Sequence, residues 1–428
     1  IELEILPTSA RWGYDALPFQ VRYARTLGKP VVVMTGRFHK GWGDFGGLRP
    51  DPSLRYDCFN AVANGAGCSI GDHLHPRGRL EPAVYEAVGR VYREVRRYDP
   101  WTEGARALAD MAVFYPPLEA PRWCPDYAEA TLRGAARLLV ELKCQFDILD
   151  RLTEAAAARY RVLILPDHVP VDSRLAALLR RFLARGGVLF SSGTAGLDPG
   201  QREFALKEYC LEFLGPSPYN LEFFRAEPAV AGSVPDMPVS IYRPGIAMRP
   251  RSGGLSLARI VRPYGNLYAD DHFHRSKYIA PDTESGACAL AQAGRILHLS
   301  FPVFAAYYEQ AVPAYKHLVG NSLARVFPDP LVKTEGLPSF GQATVTAQGR
   351  RRIVHLLTYL PELRGQAAQI IEEPVVVRAA RLALRSGARP ARAVYLAPSR
   401  EPLAFREAGG YVRVDVPEIN GYQMVVVE

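Results

Sequence analysis

Two carboxylates near the start of the chain are the first candidates for chemistry. Glu2 and Glu4 lie two residues apart in the segment IELEIL, where acidic and apolar residues alternate. In a β-strand such residues share one face, so both carboxylates point away from the apolar side. Burying carboxylates without purpose is costly, and glycosidic cleavage uses them as acid, base or nucleophile. We expect Glu4 to be catalytic. Glu2 lies deeper along the strand, further from its carboxyl end, and is therefore less suited to that role. A charged strand end with a basic partner is the alternative for both.

A glycine-rich, aromatic loop directly follows the apolar segment Val31–Thr35. Its sequence over residues 36–47, GRFHKGWGDFGG, sets flat apolar rings beside hydrogen-bonding groups. A sugar has an apolar face and hydroxyl edges, so this mixture suits a carbohydrate, and a purely structural loop is the alternative. The loop is predicted to supply four substrate-binding residues: Arg37, His39, Trp42 and Asp44.

A third polar segment, GDHLHP, begins at Gly71. Asp72 is predicted to be a second catalytic carboxylate or a substrate hydrogen-bond partner, and His73 to bind substrate. His75 precedes a proline and has a structural interpretation. A metal site would need further ligands at defined spacing, which are not visible, so neither a metal nor a cofactor is expected.

The middle of the chain offers weaker candidates. The segment DDHFHRSKY carries four polar residues, His272, His274, Arg275 and Lys277. They are interpreted as lining a cleft or an interface, and a solvated loop is the alternative. Two serines at 191–192 follow a strand where an amidotransferase-like fold would carry a nucleophilic cysteine. No cysteine is there, and the serines lack the GxSxG pattern, so this region is predicted to be non-catalytic.

Three strand–helix units must position these residues. Strands are predicted at Glu2–Leu6, Val31–Thr35 and Cys68–Ile70, and helices follow around residues 19–27, 54–64 and 82–97. Regular alternation with short connections implies parallel strands, whose carboxyl ends share the active-site face of a (β/α)8 barrel. Three units do not close a barrel, so the remaining strands are expected upstream of Ile1.

Two further domains are predicted after these units, so the fold class is α/β and multidomain. The domains are predicted as 1–103, the C-terminal part of a (β/α)8 barrel; 104–329, a flavodoxin- or amidotransferase-like doubly wound domain; and 330–428, a small all-β sandwich. The middle domain is expected to be irregular from Phe213 to Gly254, where prolines are frequent.

Composition excludes several classes of protein. The chain has 428 residues, 48% of them hydrophobic and 22% charged, with a net charge of +8. Its arginines are dispersed, so no nucleic-acid partner is expected, and no apolar run is long enough for a membrane span. The six cysteines form no CxxC pair, which favours a reducing, cytoplasmic compartment.

Several long motifs resemble a known family. The segments ILPTSARWGY, TGRFHKGWGDFGG, GAGCSIGDHLHPRGRL and YDPW, with the later HFHRSKYIAP and SFPVFAAYYEQAVPAYKHL, are similar to bacterial α-L-fucosidase-like glycosidases with a β-galactosidase trimerisation domain. The resemblance spans nearly the whole chain and is weakest after Pro330. It implies the C-terminal portion of such an enzyme, assembled as a trimer or dimer through its middle domain.

The resemblance leaves the role of Glu4 open. In the related family-42 β-galactosidases the nucleophile lies in a Glu-x-x-Pro segment followed by Trp, which Glu4, Pro7 and Trp12 match. Trp12 is accordingly a predicted substrate-binding residue. That nucleophile belongs on the seventh strand, whereas IELEIL counts as the sixth, and the fucosidase-like families carry theirs on the fourth. Glu4 is then an acid/base or a sugar-binding carboxylate.

The sequence therefore predicts a retaining α-L-fucosidase-like glycoside hydrolase that acts on an oligosaccharide or glycoside through paired carboxylates. A β-galactosidase-type activity and a non-catalytic carbohydrate-binding or assembly protein are the alternatives. A chain with three barrel strands is expected to be an incomplete catalytic unit.

Overall fold

The computed structural model describes residues 1–8, 12–116, 127–265 and 279–428. The chain divides into two compact units. The first joins Ile1–Ala109, Leu139–Asp147 and Pro330–Glu428, and the second joins Asp110–Leu138 and Ile148–Asp329. An α/β multidomain chain is therefore observed, with large sheets and few helices. The predicted break at 329/330 coincides with a change of unit, and the division into three domains stays a prediction.

The first unit begins with alternating strands and helices. These are β1 (Glu2–Ile5), α1 (Ala16–Ala24), β2 (Val32–Gly36), α2 (Asp51–Ala63), β3 (Gly67–Gly71), α3 (Pro82–Val95), α4 (Asp99–Thr102) and the short β4 (Arg106–Ala107). The predicted strands and helices of this region are thus confirmed. The first three strands form a parallel sheet in the order β1-β2-β3, with Glu4 beside Met34 and Met34 beside Ser69.

Alternation along β1 separates the two faces of this sheet. Ile5 is buried in a cluster with Leu17 and Val21 of α1, and Leu3 packs against the same cluster. Glu2 and Glu4 lie on the opposite, exposed face. The predicted separation of carboxylates from apolar residues is confirmed, because only the apolar face gains from burial against a helix.

The second unit contains a nine-stranded mixed sheet. Its elements are β5 (Met111–Phe114), α5 (Tyr127–Glu141), β6 (Phe146–Leu149), α6 (Glu154–Ala157), β7 (Val162–Leu165), α7 (Ser173–Ala184), β8 (Val188–Ser192), β9 (Leu211–Pro216), β10 (Glu222–Ala226), α8 (Pro228–Ala231), β11 (Val239–Ile241), β12 (Ile246–Pro250), β13 (Leu255–Pro263), β14 (Pro281–Ala293), β15 (Ile296–Leu299), α9 (Val303–Gln310) and α10 (Pro313–Val326). The strand order is β11-β10-β13-β14-β15-β8-β7-β5-β6, and β5, β7, β8 and β15 pair in parallel.

One expectation for this unit is wrong. The stretch Phe213–Gly254 is not irregular, because it contains parts of β9 and all of β10, β11 and β12. β10 is held on both sides, by β11 and by β13, so ladder hydrogen bonds compensate for frequent prolines nearby. The prolines lie mainly between the strands or at their ends, where a missing N–H costs little.

The C-terminal part of the first unit is all-β. Its strands are β16 (Val332–Glu335), β17 (Gln342–Gln348), β18 (Arg351–Leu357), β19 (Glu362–Leu363), β20 (Gln369–Ile370), β21 (Val376–Arg385), β22 (Val394–Ala397), β23 (Glu401–Pro402), β24 (Phe405–Ala408), β25 (Tyr411–Asn420) and β26 (Tyr422–Val427). They form a four-stranded sheet, β16-β21-β25-β24, a six-stranded sheet, β23-β22-β26-β18-β17-β4, and the small pair β19-β20. Residues of both larger sheets share one apolar cluster.

A second apolar cluster joins the six-stranded sheet to the N-terminal helices. Phe59 of α2 stacks on Tyr422 of β26 with ring centroids 4.0 Å apart. Trp101 donates from Nε1 to the Tyr395 hydroxyl at 3.0 Å, and both side chains are buried. The segment that carries the candidate site is therefore stabilised by the last hundred residues of the chain.

Candidate functional site

The candidate site lies at the carboxyl ends of β1, β2 and β3. Because the three strands are parallel, Glu4, the loop 36–47 and Asp72 meet at one edge of the sheet. Each of these residues ends or follows a strand in consecutive strand–helix units, and this topology brings them together.

Trp42 links the two outer strands of this sheet. Its indole Nε1 donates a hydrogen bond of 2.7 Å to Glu4 Oε1 at the end of β1. Its six-membered ring lies against Gly71 at the end of β3, where an added Cβ would come within 2.4 Å of Trp42 Cη2. The ring of Phe38 packs edge-on at 5.4 Å. Glycine at position 71 is therefore what allows Trp42 to lie flat and reach Glu4.

Arg37 holds the loop in place from below. Its side chain is 2% exposed, and its Nε donates to Asp72 Oδ1 at 2.8 Å. One terminal nitrogen donates to the carbonyl oxygens of Phe45 at 3.0 Å and Gly47 at 2.7 Å. The guanidinium also lies 4.3 Å from the Phe38 ring. A buried cation whose donors are used this way fixes the backbone of the loop.

Asp72 is an ionised acceptor in this arrangement. Partial burial opposes the shift, but the hydrogen bonds from Arg37 and from the His73 backbone N–H lower the pKa of Asp72 below its usual value. The carboxylate therefore carries its charge at neutral pH, which suits a hydrogen-bond acceptor or a nucleophile and does not suit a proton donor.

The remaining predicted residues of the site differ in their environments. The ring of His73 lies beside Phe45, with centroids 5.6 Å apart. The main-chain oxygen of His39 accepts a hydrogen bond from the Thr8 hydroxyl at 2.5 Å. Asp44 accepts from the Lys40 N–H at 3.0 Å, within its own loop. Trp12 is half-buried and packs against the apolar cluster of β1 and α1.

A buried polar network beneath the site was not predicted. Arg49 donates to Asp57 Oδ2 at 2.5 Å, and the Thr35 hydroxyl donates to the same oxygen at 2.7 Å. Arg49 also donates to the Gly36 carbonyl at 3.0 Å, so the network holds the point where β2 enters the loop. Burial raises the pKa of Asp57, and the Arg49 charge opposes that shift. Arg49 lies just before α2 and Asp57 within it, and no sequence motif marks either charge as buried.

The polar residues considered in the second unit do not form an accessible site among the described residues. Ser191 and Ser192 are fully buried, which denies them a substrate. The Ser191 hydroxyl bonds His298 Nδ1 at 2.8 Å, and the Ser192 hydroxyl donates to Asp167 Oδ1 at 2.7 Å. His272, His274, Arg275 and Lys277 lie outside the described residues.

The described ranges show neither a metal site nor a membrane helix. Across them, no group of three His, Cys, Asp or Glu side chains is arranged to hold a metal ion. None of their helices is both long enough and apolar enough to cross a bilayer.

Comparison with known proteins gives structural matches alone. No family model and no curated protein matches the chain. Among solved structures, an α-L-fucosidase isoenzyme 2 from Paenibacillus thiaminolyticus is 32% identical, with a TM-score of 0.92 over 100% of this chain and 65% of its own. The resemblance predicted from the motifs is thereby confirmed.

Two β-galactosidases share the fold at lower identity. The cold-adapted enzyme of Rahnella sp. R3 is 13% identical with a TM-score of 0.63, over 100% of this chain and 60% of that one. A catalytic mutant of Gan42B, a GH42 β-galactosidase from G. stearothermophilus, is 12% identical with a TM-score of 0.61, over 100% and 59%. The chain thus spans less than two thirds of the length of each of these relatives.

Proposed function

We propose that this chain, an α-L-fucosidase-like protein related in fold to GH42 β-galactosidases, forms part of a retaining glycoside hydrolase that removes a terminal sugar, with L-fucose as the first candidate. The observation that carries the proposal is the pair formed by Glu4 and Trp42 at the carboxyl end of parallel strands. A carboxylate oriented by an indole N–H on the exposed face of the sheet is equipped for glycosidic chemistry.

Glu4 is the proposed reacting carboxylate. Its side chain lies on the face turned away from α1, and Trp42 holds its Oε1. Among the described residues, no hydrogen bond to its Oε2 is seen. We propose that this carboxylate either attacks the anomeric carbon as nucleophile or exchanges a proton with the leaving group as acid/base.

Asp72 is less suited to be the partner carboxylate. The register aligns Glu4 with Ser69 across two strand steps, and Asp72 lies three residues beyond Ser69. Strand spacing and rise then put the two α-carbons on the order of 14 Å apart, whereas a retaining pair needs carboxyl groups about 5 Å apart. We therefore propose that Asp72 and Arg37 position the loop, and that another barrel strand supplies the second catalytic carboxylate.

Sugar binding is proposed for the exposed groups around Glu4. Trp42 is 39% exposed and offers a flat apolar face, while His73 offers a ring nitrogen. His39, Asp44 and Trp12 stay predicted binding residues with weaker support, since Asp44 bonds its own loop and Trp12 packs against the core.

Four broader predictions are proposed together with this function. These are a (β/α)8 barrel completed by further strands, three domains bounded at 103/104 and 329/330, a homo-oligomer, trimer or dimer, formed through the middle domain, and a cytoplasmic location. β-Galactosidase-type activity is the second candidate, supported by the GH42 fold similarity.

The experiment compares Glu4→Gln with Glu2→Gln in the natural polypeptide that carries this chain, using an aryl α-L-fucoside and an aryl β-galactoside. The two glutamates share one strand face, but Glu4 is the one that Trp42 contacts. Glu4→Gln should lower kcat/KM by roughly 10²–10⁴-fold, and Glu2→Gln by much less. Equal activity of both variants and the parent would refute the assignment of Glu4, and hydrolysis of the galactoside alone would favour the second candidate.

A further inference from the structure

The four-stranded sheet β16-β21-β25-β24 carries an unusual row of cations on its outer face. Register places Lys333 beside Ala383, Ala383 beside Arg413, and Arg413 beside Arg406. The row crosses all four strands. Three of its four members are cationic, and the fourth is the smallest side chain that retains a Cβ.

This row places like charges side by side. Arg413 and Arg406 are directly opposite on adjacent antiparallel strands, where like charges repel. In the described part of the chain, no carboxylate forms an ion pair with Lys333, Arg413 or Arg406, although such pairs are frequent elsewhere on this surface. The cost points to a ligand, because binding of an anion would remove the repulsion.

The neighbouring row shows the contrasting arrangement. Glu335 is beside Arg381, and Arg381 is beside Asp415, so one cation lies between two carboxylates. Arg381 and Glu335 form an ion pair. The excess positive charge is therefore confined to the row Lys333, Ala383, Arg413 and Arg406.

A groove runs over this row. Its volume is about 590 Å³, and both rows line it: Lys333, Ala383, Arg413 and Arg406 of the first, and Glu335, Arg381 and Asp415 of the second. Four cations against two carboxylates leave the groove net positive. Two of the cations are held by neighbouring groups: the Lys333 ammonium lies 4.6 Å from the Tyr411 ring, and Arg413 Nε donates to the Ala408 carbonyl at 3.5 Å. The cations are therefore partly arranged before any ligand arrives, which lowers the entropic cost of binding.

We propose that this groove binds an acidic oligosaccharide, one that carries carboxylate or sulfate groups. Three strand steps separate Lys333 from Arg406, about 14 Å at the usual strand spacing, which suits a ligand with several anionic groups rather than a single small ion. Arginine donates two parallel hydrogen bonds to a carboxylate or sulfate, and the half-buried Phe405 adds apolar surface at the groove wall for the face of a sugar ring.

Two other anionic polymers fit the groove less well. The Tyr411 ring is 2% exposed, so the row lacks the open aromatic platform on which nucleic-acid bases stack. The two inner strands, β21 and β25, are paired on both sides, so an acidic peptide cannot add as a further strand over the centre of the groove. This binding site is independent of the proposed hydrolytic site and does not rest on it.

Calorimetric titration of the full chain with a galacturonic acid hexamer tests the proposal. The double variant Arg406→Gln/Arg413→Gln removes the opposed charges. Arg378→Gln is the matched control, because Arg378 is exposed on β21 of the same sheet but paired with Glu418. We expect binding that weakens as salt rises, a loss of affinity of about tenfold in the double variant, and an unchanged affinity in the control. The double variant should unfold at no lower urea concentration than the parent, which separates lost binding from lost folding.

The same titration with other ligands decides the ligand class. A neutral galactose hexamer, inorganic sulfate, a glutamate hexapeptide and a DNA hexamer are expected to bind more weakly than the acidic sugar. Equal or tighter binding of any of them, no binding of the galacturonic acid hexamer, or full affinity in the double variant would overturn the proposal.

Discussion

Replacing Arg37 by methionine isolates the interaction that holds the candidate site together. Methionine keeps much of the apolar length of the side chain and removes all of its donors. Asp72 then loses its ion pair, and the carbonyl oxygens of Phe45 and Gly47 lose their donor. The loop that carries Trp42 should detach from the sheet edge.

The expected cost follows from burial. The Arg37 side chain is 2% exposed and that of Asp72 15%. Breaking a buried pair costs roughly 3–5 kcal/mol, and the partial exposure of Asp72 moves the expectation to about 3 kcal/mol. Arg90 and Asp51 form a pair with the same 2.8 Å distance, but Arg90 is half-exposed, so Arg90→Met should have little effect.

Two measurements test this expectation. Urea unfolding reports the loss of stability of the unit, and hydrogen exchange of residues 37–47 reports local detachment of the loop. Arg37→Met should lower the unfolding free energy or speed exchange in that segment, and Arg90→Met should do neither. If the two variants behave alike by both measurements, burial is not what gives the Arg37 pair its importance, and the reasoning fails.

Three further predictions concern separate features. In the natural polypeptide that carries this chain, Gly71→Ala should reduce glycosidase activity by about 10²-fold by displacing Trp42. Gly41→Ala, with open space around its Cβ, should keep the activity, and steady-state kinetics of both variants decide this. Burial raises the pKa of Glu222 to about 7, so the folded protein binds the proton more tightly than the unfolded chain, and stability falls as pH rises from about 4.5 to 7. In Glu222→Gln this loss, worth roughly 3 kcal/mol, should be absent, and parallel urea-unfolding profiles of parent and variant across that range would contradict it. The chain alone should not hydrolyse aryl fucosides or galactosides, because the described residues form a three-stranded N-terminal sheet and the proposed (β/α)8 barrel needs eight strands; turnover by the purified chain would refute this.

Local patterns predicted most of the elements that position the site. The alternation in IELEIL separates Glu4 from Ile5, and glycine and polar residues after β2 and β3 mark the strand ends correctly. The Trp42–Glu4 hydrogen bond depends on how the loop folds back over Gly71, which no spacing reveals. Arg49 and Asp57 look like ordinary surface charges in sequence, and their burial follows from tertiary packing. β9–β12 were missed because frequent prolines masked short strands whose stability comes from their neighbours in the sheet.

The cluster that joins α2 to the C-terminal sheet has a consequence for biosynthesis. Trp101 and Tyr395 are separated by 294 positions, so the surface that covers the first helices is translated long after them. At ribosomal rates of about 5–20 residues per second, those helices wait roughly 15–60 s for their partner. Phe59 and Trp101 lack this cover throughout that interval, and the intervening unit, which ends at Asp329, is completed before it closes. The nascent chain should therefore depend on chaperones most strongly between synthesis of the second unit and synthesis of β26.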